Sequence, residues 1–237
     1  MESVNAGRVE AVVLAGGLGT RLRPVVSDLP KPMAPVGGRP FLAYVMDHLI
    51  SQGIGRIVLA TGYKHDVIEG RFGSSYRGIP LHYSVEAEPL GTGGAIKQAL
   101  EHVRSELALI CNGDTLHRFH LAGMLAFHTR TAADMTLCLK PMERFDRYGS
   151  VELAGHRIAR FLEKSARSAG LVNCGVYMAN SGLIREIGLP DQFSFEREFL
   201  EARVGELNLC GFVSEAYFVD MGIPEDYARA QRELALP

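Results

Sequence analysis

The sequence predicts an α/β fold, a doubly wound and mostly parallel sheet with helices on both faces and a small β-rich lobe. Short apolar runs alternate with segments whose apolar residues recur at helical spacing. The first run, residues 9–15, is almost continuously apolar and leads directly into glycines, as buried parallel strands do. A β-α-β-α rhythm places the carboxyl ends of the strands on one edge of the sheet, where ligands usually bind.

The first half of the chain supplies the doubly wound elements in order. Strands are predicted at 9–15, 56–60, 81–85, 107–111 and 135–139, and helices at 41–52, 64–72, 94–103 and 121–130. The helix at 41–52 is well defined, because Phe41, Val45 and Leu49 form one row and Gly53 follows its end.

The second half is less regular and predicts the smaller lobe. Residues 149–153 and 157–162 predict a hairpin that turns at Gly155. Strands are predicted at 172–178, 206–213 and 217–219, and a helix at 194–203. Pro224 fits the first turn of a last helix. The sequence has no internal repeat or linker, so we expect one domain over 1–237, with a first half at 1–140 and a second half at 141–237.

Composition excludes several functions. The chain has 237 residues, 47% hydrophobic and 22% charged, and a formal net charge of −2, which is globular composition without a bias towards nucleic acid or membranes. The sequence has no apolar run of membrane-spanning length and no signal peptide. Cys111, Cys138, Cys174 and Cys210 match no zinc spacing and favour reduced, buried thiols in a cytoplasmic protein.

The most informative segment follows the first predicted strand. Residues 14–24 read LAGGLGTRLRP and residues 29–36 read LPKPMAPV. Glycines after a buried strand allow a sharp turn, and their N–H groups can surround phosphate oxygens. The pattern is neither a P-loop nor a dinucleotide fingerprint, and the glycines alone also fit a tight turn. Arg21 and Lys31 favour phosphate binding, because the prolines around Lys31 stiffen the backbone that carries this cation.

These segments strongly resemble the signature of the sugar-1-phosphate nucleotidyltransferases, and the resemblance covers nearly the whole chain. The further motifs are EPLGTGGA at 88–95, NGD at 112–114, FLEK at 161–164, NCGVY at 173–177 and VDMGIPEDY at 219–227. Motifs in the family's order are more specific than any one alone. The resemblance implies a Rossmann-like fold, an enzyme that joins a nucleoside triphosphate to a sugar 1-phosphate, and Mg²⁺ as cofactor.

The resemblance also implies a role for each motif residue. Nucleotide binding falls on Leu14, Ala15, Gly16, Gly17, Gly19, Thr20, Arg21, Glu88, Gly91, Thr92, Asn112 and Gly113, and sugar binding on Gly149, Glu163, Lys164, Asn173 and Gly175. The catalytic residues would be Arg21, Lys31, Asp114, Lys164 and Asp220, with Asp114 and Asp220 as metal ligands, whether of one metal ion or of two. Two carboxylates plus substrate phosphates suit Mg²⁺, although each aspartate also fits a turn or a helix N-cap. Glu196 fits the sugar side and an exposed helix position equally well.

The base and the sugar follow less directly. A carboxylate such as Glu88 could accept hydrogen bonds from guanine N1–H and N2–H₂. Residues 25–35 and 88–94 resemble the short bacterial D-glycero-α-D-manno-heptose 1-phosphate guanylyltransferases, which implies GTP and that heptose phosphate as substrates for surface polysaccharide or glycoprotein synthesis. The alternatives are a mannose-1-phosphate guanylyltransferase, a uridylyl- or thymidylyltransferase of the same fold, and a non-catalytic sugar-nucleotide-binding regulatory subunit. The family resemblance also implies a homo-oligomer.

Overall fold

The computed structural model of the chain describes residues 8–17 and 28–234. The strands are β1 (Val9–Leu14), β2 (Pro35–Val36), β3 (Arg39–Pro40), β4 (Ile57–Thr61), β5 (Ser75–Tyr76), β6 (Ile79–Val85), β7 (Leu107–Asn112), β8 (Thr115–His117), β9 (Met135–Phe145), β10 (Ser150–Ala154), β11 (Arg157–Leu162), β12 (Arg167–Asn180), β13 (Leu209–Val213) and β14 (Phe218–Asp220). The helices are α1 (Phe41–Ser51), α2 (His65–Phe72), α3 (Gly91–Leu100), α4 (Leu121–Thr131), α5 (Leu183–Glu186) and α6 (Pro224–Leu234), with a 3₁₀ turn at Lys31–Met33, a π-helical turn at Phe195–Leu200 and a 3₁₀ turn at Glu201–Arg203.

The first half of the chain forms parallel strands in the order β7-β1-β4-β6. Strands β1, β4 and β7 are mostly apolar because both of their faces are covered, whereas β6 is largely half-buried or exposed. Strand β4 is buried at every position, and β1 places Val13 in one hydrophobic cluster and Val12 in another. Helices α1, α2 and α4 contribute to the first cluster and α3 to the second. As predicted, helices cover both faces of this part of the sheet.

Over the residues that the structure describes, the complete sheet is mixed. Strand β12 runs antiparallel to β7 and β9, and β10 runs antiparallel to β11 and β12. Strand β13 joins β11 to β9, and the contact between β10 and β12 closes β9 to β13 into a small barrel. The prediction of a mostly parallel sheet is therefore not confirmed, because the strands of the second half pair largely with antiparallel neighbours.

The barrel strands differ most from their predicted bounds. Strands β9 and β12 extend well beyond the apolar runs that predicted them, because they pair with each other from Met135 to Phe145. Gly155, with a φ of 66°, turns the predicted hairpin of β10 and β11. The helix predicted at 194–203 is a π-helical turn followed by a 3₁₀ turn, and the strand predicted at 206–213 begins only at Leu209.

Close contacts between strand ends build the edge that carries the site. The Gly113 N–H donates to the Leu14 carbonyl at 2.8 Å, and the Ala15 N–H donates to the Ala60 carbonyl at 2.7 Å. A Cβ at Gly113 would lie 2.7 Å from the Leu14 oxygen, so this approach of two strands requires glycine.

Two further expectations concern cysteines and membranes. The four cysteines are free and buried, as predicted. Among the described residues, helices long and apolar enough to cross a membrane are absent.

Candidate active site

Two cavities open along the carboxyl edge of the sheet and share Asn112. The first has a volume of about 650 Å³ and lies between β1, the loop after β6 and the start of α3. The second has a volume of about 890 Å³ and lies among the barrel strands and the π-helical turn. Asp114 lines the first cavity and Asp220 lines the second.

The first cavity gathers most of the predicted nucleotide-binding residues. Leu14, Gly16, Gly17, Glu88, Gly91, Thr92 and Asn112 line it. Ala15 and Gly113 are buried beside this lining. A Cβ at Gly16 would lie 3.0 Å from the Gly62 nitrogen, so glycine is required where these two loops meet. The predicted residues Gly19, Thr20 and Arg21 lie outside the described part of the chain.

Glu86 lines the first cavity and was not found from the sequence. Its Oε2 accepts a hydrogen bond from the Leu90 N–H at 2.9 Å, which fixes the carboxylate. Burial raises the pKa of Glu86, and the bond from Leu90 offsets part of that change. Glu88 is more exposed, at the rim of the same cavity. The sequence signal that could have identified Glu86 is its position, because it directly follows β6 at the edge of the sheet where ligands usually bind.

Lys31 lies where the two cavities meet. It begins the 3₁₀ turn between Pro30 and Pro32, and its side chain is only 12% exposed. Lys31 Nζ lies 2.5 Å from Asp114 Oδ2 and 3.7 Å from Asp220 Oδ1. The ammonium group is therefore held between the two carboxylates that the family resemblance predicted as metal ligands.

Asp114 and Asp220 meet because β8 and β14 form a separate two-stranded ribbon. Asp220 pairs with Thr115, and the Met221 N–H donates to the Asp114 carbonyl at 3.0 Å. The position of Lys31 Nζ shows that a cation fits between these carboxylates. Within residues 8–17 and 28–234, no group of three or more His, Cys, Asp or Glu side chains could hold a metal. Two carboxylates that leave positions for phosphate and water fit Mg²⁺, whereas structural zinc takes four protein ligands.

All of the predicted sugar-side residues line the second cavity. They are Gly149, Glu163, Lys164, Asn173 and Gly175. Asn173 is fixed, because its N–H donates to the Gly149 carbonyl at 3.0 Å and its Oδ1 accepts from the Gly175 N–H at 3.1 Å. Gly175 has a φ of 67°, and a Cβ there would lie 2.3 Å from Asn112 Nδ2. The register shift of β12 between Asn173 and Tyr177 is the kind of bulge that redirects side chains at a site.

Arg147 and Glu196 also line the second cavity. The Arg147 guanidinium donates to Asp226 at the start of α6 and to the Tyr148 hydroxyl. Asp226 is 8% exposed, so a buried carboxylate fixes this arginine. Burial raises the pKa of Glu196, and the charge of Lys164 lowers it in part. Sequence patterns gave Arg147 no role, because its partner lies on an element distant in sequence.

The fold thus places two cavities beside one acidic centre, Asp114 and Asp220, with Lys31 between the two carboxylates. The family model described as nucleotidyl transferase matches residues 10–236, and the chain belongs to this family. It is a nucleotidyltransferase, as the motifs predicted.

Individual relatives are similar along nearly their whole length. The chain is 50% identical over 226 residues to the D-glycero-alpha-D-manno-heptose 1-phosphate guanylyltransferase of Aneurinibacillus thermoaerophilus, covering 95% of this chain and 98% of that protein. It is 40% identical over 220 residues to the Campylobacter jejuni protein of the same name, covering 92% and 97%. The crystal structure of HddC from Yersinia pseudotuberculosis matches with a TM-score of 0.86 at 35% identity, covering 95% of this chain and 99% of that chain. A further crystal structure of HddC is complexed with GMP-PN.

Proposed function

We propose that this enzyme transfers GMP from GTP to D-glycero-α-D-manno-heptose 1-phosphate and releases pyrophosphate. The observation that carries the proposal is the meeting of two cavities at Asp114, Asp220 and Lys31. The first cavity would hold GTP and the second the sugar phosphate. Two relatives named as heptose 1-phosphate guanylyltransferases, similar over nearly the full chain, support this choice of sugar and nucleotide.

The chemistry requires positioning and charge compensation. A phosphate oxygen of the sugar phosphate attacks the α-phosphorus, and the bond from that phosphorus to the oxygen of the leaving pyrophosphate breaks. The attacking phosphate is already an anion and needs no general base, so the obstacle is repulsion between two polyanions. Lys31 at the junction and Lys164 in the second cavity would screen this repulsion, together with Arg21. Mg²⁺ held by Asp114 and Asp220 would add a divalent charge beside the phosphates.

We propose Glu86 as the group that reads guanine. A fixed carboxylate accepts hydrogen bonds only, and guanine presents two donors, N1–H and N2–H₂, on one edge. Adenine has no N1–H donor, so an ionised Glu86 would discriminate against ATP. Glu88 remains a second candidate, because it lines the same cavity. The matched variants Glu86→Gln and Glu88→Gln distinguish these two candidates. Substituting the glutamate that recognises guanine should reduce the preference for GTP over ATP by about tenfold to a hundredfold.

The two cavities also bear on the organisation of the chain. Among the described residues, those that line the first cavity fall between Leu14 and Asp114, apart from Gly222, and those that line the second fall between Asn112 and Asp220. We propose that 1–140 is the nucleotide-binding half and 141–237 the sugar-binding half of one domain. Strand β9 crosses the division, which supports one continuous domain.

The reaction is tested by pyrophosphate release with Mg²⁺ across GTP, ATP, UTP and dTTP, each with heptose, mannose and glucose 1-phosphates. Release with GTP and the manno-heptose phosphate is the expected result. Release only with mannose 1-phosphate would replace the sugar and keep the mechanism. A chain that binds GTP and releases no pyrophosphate with any sugar phosphate would instead be a binding subunit.

A further inference from the structure

A segment between the two cavities lies directly on helix α3. We call residues 189–195 the strap. The Phe193 N–H donates to the Leu90 carbonyl at 3.1 Å, and the Gly93 N–H donates to the Phe193 carbonyl at 2.9 Å. The strap is therefore bonded through its backbone to the loop that lines the first cavity.

Two side chains of α3 add further hydrogen bonds to the strap. Thr92 Oγ1 accepts from the Phe195 N–H at 3.0 Å. Lys97 Nζ donates to the Leu189 carbonyl at 2.9 Å and to Asp191 Oδ1 at 2.8 Å. These contacts join two segments that are distant in sequence and belong to different halves of the chain.

The glycines of the 88–95 motif make this contact possible. A Cβ at Gly93 would lie 2.1 Å from the Phe193 ring, and a Cβ at Gly94 would lie 2.0 Å from the Asp191 carbonyl oxygen. A Cβ at Gly91 would lie 2.6 Å from the Phe193 carbonyl oxygen. The three glycines thus allow the strap to lie against the backbone of α3.

The strap leads directly into the wall of the second cavity. The π-helical turn begins at Phe195, and Ser194, Glu196 and Arg197 line that cavity. The first N–H groups of a helix have no hydrogen-bond partner within the helix. Phe195 is only 2% exposed, and the Thr92 hydroxyl accepts the hydrogen bond from its N–H. A threonine that lines the first cavity therefore fixes the start of a segment that lines the second.

We propose that Thr92 is a positioning residue for the sugar-phosphate site, acting through the Phe195 amide and the π-helical turn. This proposal rests on the proposed assignment of the second cavity to the sugar phosphate. It gives the Thr92 hydroxyl a function on the sugar side, in addition to any contact of Thr92 with the nucleotide. The wall of the second cavity keeps its geometry because that hydroxyl accepts the buried N–H.

Thr92→Val and Thr92→Ser form a matched pair, because valine keeps the shape and removes the acceptor, whereas serine keeps the acceptor. Thr92→Val should raise the KM for the sugar phosphate by about tenfold, as expected when a buried donor loses its partner, and this rise should occur whether or not the KM for GTP also changes. Thr92→Ser keeps the acceptor for the Phe195 N–H, so it should keep the KM for the sugar phosphate within about twofold of its value in the natural chain. A rise in the KM for GTP alone would overturn the proposal and return Thr92 to the nucleotide.

Two further measurements keep the test decisive. Lys97→Met removes two other hydrogen bonds to the strap, and Lys97 lines neither cavity. If Thr92→Val fails to fold, Lys97→Met should still raise the KM for the sugar phosphate. Amide hydrogen exchange over residues 194–200, measured without substrate, should become faster in Thr92→Val, and unchanged exchange would overturn the proposal. The exchange measurement does not depend on turnover. If the natural chain transfers nucleotide to no tested sugar phosphate, that result refutes the proposed function but leaves the exchange result valid.

Discussion

Replacing Lys31 by methionine separates two effects of the cation between the carboxylates. Methionine keeps an apolar stem of similar length and removes the charge that lies 2.5 Å from Asp114 and 3.7 Å from Asp220. We expect kcat to fall by about 10²–10³-fold, which is typical of losing one charge contact in the transition state. We also expect half-saturation at a lower Mg²⁺ concentration, because the metal no longer competes with an ammonium group for Asp114.

The size of the second effect follows from the contact itself. At an effective dielectric constant of about 20, opposite charges 2.5 Å apart attract by about 7 kcal/mol before desolvation is subtracted. The net contribution of a hydrogen bond to a charged group is only about 1.5–3 kcal/mol. Asp114 is 30% exposed, so we take the lower limit, which corresponds to about a tenfold change in the Mg²⁺ concentration required.

The assay is pyrophosphate release at saturating substrates while Mg²⁺ is titrated. The Mg²⁺-induced shift in the thermal midpoint, without substrates, gives a measure that does not depend on turnover. Lys64→Met is the matched control, since Lys64 donates to the Asp28 carbonyl at 2.7 Å and lines neither cavity. An unchanged kcat in Lys31→Met would remove Lys31 from the reaction, and an increased Mg²⁺ requirement would refute the competition.

Three other perturbations test separate parts of the structure. Asp114→Asn should remove most Mg²⁺-dependent turnover and leave the circular dichroism spectrum unchanged, whereas unfolding would assign Asp114 to a structural turn. Asp226→Asn should lower the free energy of unfolding by about 2 kcal/mol in urea denaturation, because the Arg147 guanidinium loses its charged partner; a loss below about 0.5 kcal/mol would contradict that role. Burial lowers the pKa of His48 from 6.5 to about 4, so the unfolded chain binds this proton more readily than the folded chain. The free energy of unfolding should therefore fall as the pH drops from 6.5 towards 4, and a His48→Gln variant with the same pH dependence would refute this contribution.

The parallel half of the fold was predictable because its signals are local. Strands β1, β4 and β7 are short apolar runs, and the helices show apolar residues at helical spacing, so local patterns located them. The barrel strands do not have this property. In β9 the residues after Leu139 are mostly exposed or half-buried until Phe145, and they remain in the strand because β12 pairs with them. No local pattern predicts a pairing partner that follows later in the chain.

The site shows the same division between local and distant information. The motifs located Lys31, Asp114 and Asp220, but only the pairing of β8 with β14 brings the two aspartates together. Arg147 was missed because the carboxylate that fixes it lies on α6. Glu86 was missed because Glu88, two positions later, is equally acidic, and only the structure distinguishes their burial.

A glycine motif indicates that another group lies close to the backbone, but it does not show whether that group is a ligand or another part of the chain. Of the glycines in the 88–95 motif, Gly91 was assigned to the nucleotide. Gly93 and Gly94 have no room for a side chain, because Phe193 and Asp191 of the strap lie against them. Substituting either glycine would therefore disturb the second cavity through the strap, although both lie in a motif assigned to the first. Kinetic constants for both substrates are needed to interpret any variant in this segment, since loss of activity alone would be attributed to the wrong cavity.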